Sequence, residues 1–120
     1  MSAPRVLAVS DLHVRHPENR ETAAALRPTD PGDWLIVAGD VAEQVEDTVS
    51  TLASLRQRFA TVIWVPGNHE LWTRPKEEGA PRGVARYERL VERCREIGVV
   101  TPEDPYPVWT GADGPVVVAP

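Results

Sequence analysis

The sequence predicts an α/β fold in which successive βαβ units build a parallel sheet. Three short runs of apolar and β-branched residues are separated by segments with helical apolar spacing, and a polar cluster follows each run. Near-continuous rather than alternating hydrophobicity in these runs indicates strands that are covered on both faces. Right-handed crossovers bring the ends of such strands to one edge of the sheet. Functional groups are therefore expected where the strands end.

The elements alternate along the chain. The predicted strands are Arg5–Ser10, Trp34–Ala38 and Thr61–Val65. The predicted helices are Glu18–Arg27, Glu46–Arg58 and a third with the apolar stripe Val84, Tyr87, Leu90, Val91, Cys94 and Ile97. Gly98 ends this third helix, and its polar side is expected to carry Arg86, Glu88, Arg89, Glu92 and Arg93. A proline-rich segment, Thr101–Pro107, and a strand-like run, Val116–Ala119, follow.

Composition excludes several classes of protein. The chain has 120 residues, which corresponds to one domain at most, and a formal charge of −5 that gives no electrostatic footprint for nucleic acid. No apolar run approaches the roughly 18 residues of a membrane span, and the N-terminus has no signal-peptide pattern. A single cysteine, Cys94, excludes an internal disulfide framework and is compatible with a reducing compartment. A soluble cytoplasmic protein is the expectation.

Side chains that bind metals follow each predicted strand. Asp11-Leu-His13 comes after the first, Gly39-Asp40 after the second, and Gly67-Asn68-His69-Glu70 after the third. Asp11 and His13, one residue apart in an extended segment, should project from the same side of the backbone. Because the three strand ends meet at one edge, these groups are expected to converge on a small volume.

The chemistry of these groups favours cations. Two carboxylates brought close together repel each other unless a cation compensates their charge. Oxygen and nitrogen donors without a thiolate suit manganese, iron or zinc in a functional site better than a cysteine-based structural zinc. Asp40, in the middle, has two carboxylate oxygens with which to bridge two cations.

The three motifs differ in how specific they are. Asp-x-His and Gly-Asp are each common as a helix cap or a turn. Gly67-Asn68-His69-Glu70 is different, because a specified tetrapeptide of this kind arises in roughly one window per 10⁵–10⁶. Taken together in this order, the three motifs predict a metal site.

Other residues have weaker functional interpretations. His16 is expected to be a solvated loop residue rather than a substrate contact. Trp72 and Arg74 either wall a pocket and hold a phosphate or lie in an exposed loop, and the sequence does not separate these alternatives. Glu70 is expected to cap or orient the turn at His69 rather than bind metal. Apolar surroundings predict packed core roles for Trp34, Trp64, Trp109 and Cys94.

The three motifs resemble the first signature blocks of the calcineurin-like metallophosphoesterases, which hydrolyse phosphomonoesters or phosphodiesters with two metal ions. The resemblance extends from the first strand to Glu70. It implies that Asp11 and His13 bind the first metal, that Asp40 bridges the two, and that Asn68 binds the second. For His69 it implies a place beside the phosphoryl group, where the imidazole stabilises the transition state or protonates the leaving oxygen.

The same resemblance implies the N-terminal half of a four-layer α/β sandwich, so residues 1–120 are expected to form an incomplete part of the domain. Two histidine-containing blocks of the family are absent after His69, which leaves the first metal three of its usual protein ligands and the second two. The implied cofactors are two divalent ions, with manganese, iron or zinc preferred. The implied substrate is a phosphorylated small molecule or a phosphoprotein; neither nucleic acid nor a membrane is expected as a partner, and the oligomeric state is open.

Two alternatives to a phosphohydrolase remain from the sequence. One is a module that binds metal or a partner protein without turnover. The other is a doubly wound nucleotide-binding protein whose strand-end acids bind magnesium, and the absence of a glycine-rich phosphate loop disfavours it.

Overall fold

The computed structural model describes residues 3–73, 79–112 and 114–120. Three parallel strands form a sheet in the order of the chain: β1 (Val6–Val9), β2 (Trp34–Ala38) and β3 (Thr61–Val65). Beyond β3, Val100 adds a parallel bridge to Ile63. All three predicted strands are confirmed, with β1 one residue shorter at each end than the sequence predicts.

The helices connect these strands as expected. They are α1 (Pro17–Ala25), α2 (Val45–Arg58), α3 (Asn68–Leu71) and α4 (Gly83–Glu96). The helix α1 begins with Pro17, whose fixed φ suits a first helical position. It ends before Leu26, which is already extended two residues ahead of Pro28. The one-turn helix α3 was not predicted, because four residues are too few to show helical periodicity.

The core lies on one face of the sheet. Leu35 and Val37 of β2 and Val62 and Trp64 of β3 form one apolar cluster with residues of the helices, among them Ala23 of α1, Leu52 and Leu55 of α2, and Leu90, Val91 and Cys94 of α4. Burying these aliphatic and aromatic side chains is the main driving force for folding, at about 25 cal/mol per Å² of apolar surface. Cys94 is fully buried, and burial raises the pKa of its thiol to about 12, so its predicted packing role is confirmed.

On the other face of the sheet, the expectation of strands covered on both sides is confirmed for β3, where Ile63 is fully buried, and is wrong for β1 and the end of β2. Val6 of β1 is 36% exposed, and Ala8 and Ala38 are also exposed on this face. A hairpin of β4 (Val108–Trp109) and β5 (Val116–Val117) covers part of it through an edge-to-face contact between Trp109 and Trp34, with ring centroids 5.1 Å apart. Trp34 and Trp109 were predicted to lie in the core but are only partly buried. Trp64 is fully buried, as predicted.

The helix α4 corrects two further expectations. Val84, predicted as the first residue of the apolar stripe, is 73% exposed and therefore lies outside the core. Arg86, predicted on the polar side, is buried with only 1% of its surface exposed. Among the described residues, no helix is both long and apolar enough to cross a bilayer.

Candidate metal centre

The predicted site residues lie together where the three parallel strands end. Beyond β1 and β2 the backbones stay paired: the amide of Asp11 donates to the carbonyl of Gly39 at 3.1 Å, and that of His13 donates to the carbonyl of Asp40 at 3.1 Å. These bonds hold the first two motifs side by side. The convergence expected from strand order is therefore present in the structure.

The backbone of these motifs is strained. Three non-glycine residues in the described ranges have positive φ: Asp11 at 56°, His13 at 42° and Asp40 at 56°. The backbone is therefore left-handed at both Asp11 and His13, and the expectation of an extended segment is wrong. Left-handed backbone at a non-glycine residue is uncommon and clusters at functional sites. All three strained residues are candidate metal ligands, which indicates that the turns are shaped by the site.

Close approach of two glycines brings the second and third motifs together. A Cβ on Gly39, where φ is +82°, would lie 2.7 Å from the amide nitrogen of Gly67. A Cβ on Gly67 would lie 2.1 Å from Oδ1 of Asp40. No other residue type fits at either position without moving the Asp40 carboxylate or the turn beside it.

Asp11, His13 and Asp40 form one cluster of possible metal ligands. One donor atom from each lies within 4.8 Å of the others, and Nε2 of His13 is 3.4 Å from Oδ1 of Asp11. The side chain of Asp11 is 63% exposed, so the cluster opens to solvent. A hydrogen bond from the hydroxyl of Ser10 lowers the pKa of Asp11, and His13 lowers it further, so the carboxylate is held in its charged form.

Asn68 and Asp40 face each other across the same space. One terminal atom of the Asn68 amide lies 3.2 Å from both carboxylate oxygens of Asp40. With the amide nitrogen in that position, Asn68 donates to Asp40. With the amide oxygen there, both residues direct oxygens at one point, an arrangement that a cation between them would stabilise. The donor set therefore fits a hard or borderline divalent cation.

His69 lies beside this cluster. Its amide donates to Oδ1 of Asp40 at 3.0 Å, and its ring meets that of His13 edge to face at a centroid distance of 4.9 Å. Its Nδ1 is 3.2 Å from Oε1 of Glu43. His13, Glu43 and His69 also place donor atoms within 4.8 Å of one another, so they form a further possible ligand group.

Glu43 is a site residue that the sequence reasoning missed. It lies three residues after Asp40, in the loop that leads from β2 to α2, and its side chain is 13% exposed. The available signal was its position just beyond a ligand-bearing strand end, where an acidic residue can orient a histidine. An ordinary surface glutamate before a helix has the same local sequence, so only the contact with His69 identifies it.

The turn after β3 accounts for the remaining candidates. Glu70 is buried, and its Oε1 accepts from the Gly67 amide at 3.3 Å and from the Trp64 indole at 3.4 Å, which confirms the predicted capping role. Burial raises the pKa of Glu70. Trp72 is 51% exposed and packs on the ring of His69 at a centroid distance of 4.2 Å. His16 is exposed, as expected, and Arg74 lies outside the described residues.

Comparison with known proteins places these residues in context. The family model described as calcineurin-like phosphoesterase matches residues 4–114. The acyl-carrier-protein phosphodiesterase PptH of Mycobacterium tuberculosis (strain ATCC 25618 / H37Rv) is 54% identical over 117 residues, which cover 98% of this chain and 36% of that protein.

Comparison with solved structures leads to the same relative. The crystal structure of phosphopantetheinyl hydrolase (PptH) from Mycobacterium tuberculosis matches with a TM-score of 0.94 and 53% identity over 98% of this chain and 42% of the crystallised chain. The chain thus spans well under half the length of the relatives that it matches. The predicted α/β fold class is confirmed.

Proposed function

The chain belongs to the calcineurin-like phosphoesterase family, and from that premise we propose that it carries the metal-binding half of an enzyme that hydrolyses a phosphodiester. The observation that supports this most directly is the convergence of Asp11, His13 and Asp40, with donor atoms within 4.8 Å of one another. The nearby Asn68 amide adds a fourth donor.

The proposed cofactors are two divalent ions, with manganese, iron or zinc as candidates because the donors are oxygen and nitrogen. Asp11 and His13 would hold the first ion, Asp40 would bridge both, and Asn68 would hold the second. Bound cations of this kind stabilise charge on phosphoryl oxygens and lower the pKa of a water molecule toward neutrality. The Asp11 side chain is exposed, so the cluster is open to solvent on the side from which a substrate would enter.

His69 is proposed to act on the leaving group. The carboxylate of Glu43 accepts a hydrogen bond from Nδ1–H of His69, which selects the tautomer and leaves Nε2 for the reaction. When water attacks phosphorus and the bond to the leaving oxygen breaks, Nε2 of the protonated ring donates its proton to that oxygen. The amide of His69 donates to Asp40, and this hydrogen bond holds the ring at a set distance from the Asp40 carboxylate.

The proposed substrate is the phosphodiester that joins a phosphopantetheinyl group to an acyl-carrier protein. Support comes from the relative, which is named for an acyl-carrier-protein phosphodiesterase activity and is 54% identical to this chain. A diester is preferred over the phosphomonoesters that the motifs alone allow. The proposal includes the expected cytoplasmic location, with which a single buried cysteine, Cys94, is compatible.

Hydrolysis of bis(4-nitrophenyl) phosphate with and without added Mn²⁺ tests the reaction, and a phosphopantetheinylated carrier protein tests the substrate. We expect Mn²⁺-dependent release of nitrophenol and release of phosphopantetheine from the carrier. 4-Nitrophenyl phosphate, a monoester, is the matched control and should react more slowly. Faster cleavage of the monoester would contradict the diesterase assignment.

A module that binds metal or a partner without turnover is the second candidate. The observation that favours it is the partly bare apolar face around Val6, Ala8 and Ala38, which is typical of a surface that contacts further protein. Calorimetric titration with Mn²⁺ separates the two functions. Uptake of Mn²⁺ without cleavage of either ester by this chain would favour the module.

A further inference from the structure

Arg86 is a buried arginine whose role the proposed mechanism leaves open. It lies in the first turn of α4, and 1% of its surface is exposed. Burying a guanidinium is costly unless its donors are well paired. Other arginines of α4, Arg89 and Arg95, are exposed, so the burial of Arg86 needs a structural explanation. Its hydrogen bonds provide that explanation.

The guanidinium joins two loops of the site. Its Nε donates to the carbonyl oxygen of Glu70 at 2.6 Å, and its Nη2 donates to the carbonyl oxygen of Glu43. Glu43 belongs to the loop after β2, and Glu70 belongs to α3, after β3. Because the guanidinium is planar and rigid, these bonds hold the two backbones at a set separation.

The two residues whose carbonyls accept from Arg86 are both neighbours of His69. Glu70 follows it directly in the chain, and the Glu43 carboxylate is 3.2 Å from its Nδ1. The same two loops also carry the hydrogen bond from the His69 amide to Asp40, at 3.0 Å. A change in their separation would therefore alter the His69–Glu43 contact and the His69–Asp40 contact together.

We propose that Arg86 is a positioning residue that braces the loop after β2 against α3 and thereby sets the position of His69 relative to Asp40 and Glu43. The kinetic consequence of this brace rests on the proposed function. The geometric consequence does not, since it concerns only contacts within the chain. Fixing a reacting group within a fraction of an ångström is worth orders of magnitude in rate, so a brace outside the reacting groups can matter for turnover.

Amide hydrogen exchange of His69 tests the brace without relying on activity. Arg86→Met removes the hydrogen bonds to the carbonyls of Glu43 and Glu70, and we expect exchange at the His69 amide to accelerate by about tenfold or more relative to the Val37 amide in β2. Arg93→Met is the matched control: it removes an arginine of the same helix that pairs with Glu46 of α2 through bonds of 2.5 and 3.0 Å. It should leave the His69-to-Val37 ratio unchanged.

The proposal would be overturned if the exchange rates of the His69 and Val37 amides changed equally in Arg86→Met, or if neither rate changed. If Arg86→Met fails to fold, the same ratio of His69 to Val37 exchange rates is measured in Arg86→Lys. It retains the positive charge but lacks the planar fork, so a smaller acceleration of the same kind is expected.

Kinetics with bis(4-nitrophenyl) phosphate add the functional readout. In Arg86→Met we expect kcat to fall by about 10- to 100-fold while KM stays within about threefold, because the Arg86 side chain is buried and does not face solvent. A rise in KM with unchanged kcat would contradict a positioning role. If the unmodified chain cleaves no ester, the proposed function fails, and the exchange ratio still decides the role of Arg86.

Discussion

The imidazole Nδ1 of His69 lies 3.2 Å from the carboxylate Oε1 of Glu43, a residue 26 positions earlier in the chain. The two residues come from different strand ends, and both side chains are mostly buried. This pairing gives the ring a defined orientation, which an isolated histidine in a loop would lack. The contributions of His69 and Glu43 can therefore be tested separately by substitution.

Replacing Glu43 with glutamine should reduce turnover without removing the fold. Glu43→Gln keeps the size of the side chain and one oxygen that can accept from Nδ1–H, but it removes the negative charge and so weakens this hydrogen bond. We expect kcat for bis(4-nitrophenyl) phosphate to fall by about tenfold with little change in KM. Glu46→Gln, on the exposed pair with Arg93, is the control and should leave kcat within about twofold. Equal losses in both variants would argue against a role for Glu43.

Replacing Asp40 with asparagine should remove metal binding. Asparagine tolerates the positive φ of 56° at this position, so the turn is expected to survive. Losing the central anionic ligand should weaken Mn²⁺ binding by at least about 100-fold and reduce turnover accordingly. Titration calorimetry measures the affinity, and circular dichroism confirms the fold. Unchanged Mn²⁺ affinity would place the metal elsewhere.

Replacing Gly67 with alanine should damage the site through sterics alone. The φ of Gly67 is −98°, which alanine adopts freely, but the new Cβ would lie 2.1 Å from Oδ1 of Asp40. We expect a loss of about 1–3 kcal/mol in the free energy of unfolding, together with loss of Mn²⁺ binding. Gly79→Ala, where no atom lies within 4 Å of the added Cβ, is the control for a generic glycine change. It should cost roughly 1 kcal/mol, because its φ is +74°, and should leave metal binding intact.

Replacing Trp72 with alanine should affect substrate binding more than stability. The indole packs on His69 at 4.2 Å and is 51% exposed, so its outer half is available to a substrate. We expect KM to rise severalfold, with the free energy of unfolding changed by less than about 1 kcal/mol. Trp72→Phe retains an aromatic face and should recover most of the affinity. A large loss of stability with normal KM would show that Trp72 is structural.

Stability at low pH should depend on Asp33. Burial raises the pKa of this carboxyl, but hydrogen bonds from the Thr29 hydroxyl and from the amides of Arg5, Thr29 and Asp30 outweigh burial and hold the pKa below its usual range. A lowered folded-state pKa contributes stability that is present above the unfolded pKa and is lost as pH falls through the folded one.

Asp33→Asn should therefore be less stable than the unmodified chain at pH 7, with a difference that narrows as pH falls below about 4. Urea unfolding at several pH values measures this. Glu21→Gln neutralises an exposed carboxylate on α1 and should give a small difference at every pH. If the difference in the free energy of unfolding between Asp33→Asn and the unmodified chain stayed constant down to about pH 2, the result would contradict this dependence on the Asp33 pKa.

Local sequence determined the strands and the motifs that follow them. Each strand is a run of β-branched and apolar residues that ends at glycine or a polar cluster, so composition alone sets its limits to within a residue. The order of strands and helices then placed Asp11, His13, Asp40, Asn68 and His69 at one edge. Parallel strands with crossover connections leave little freedom in where those ends lie.

Tertiary structure decided which of the remaining polar residues belong to the site. Glu43 and Arg86 look like surface residues of a loop and a helix, because sequence spacing records neighbours along one element and not contacts between elements. Their roles depend on the separation of two loops that come from different strands, and that separation is set by the packing of α4 against the turn at Glu70. The apolar residues of β1 also predicted a sheet face covered by other elements, but within the described residues the face around Val6 is partly exposed. Hydrophobicity shows that a strand face is suited to burial, and only the packed structure shows what buries it.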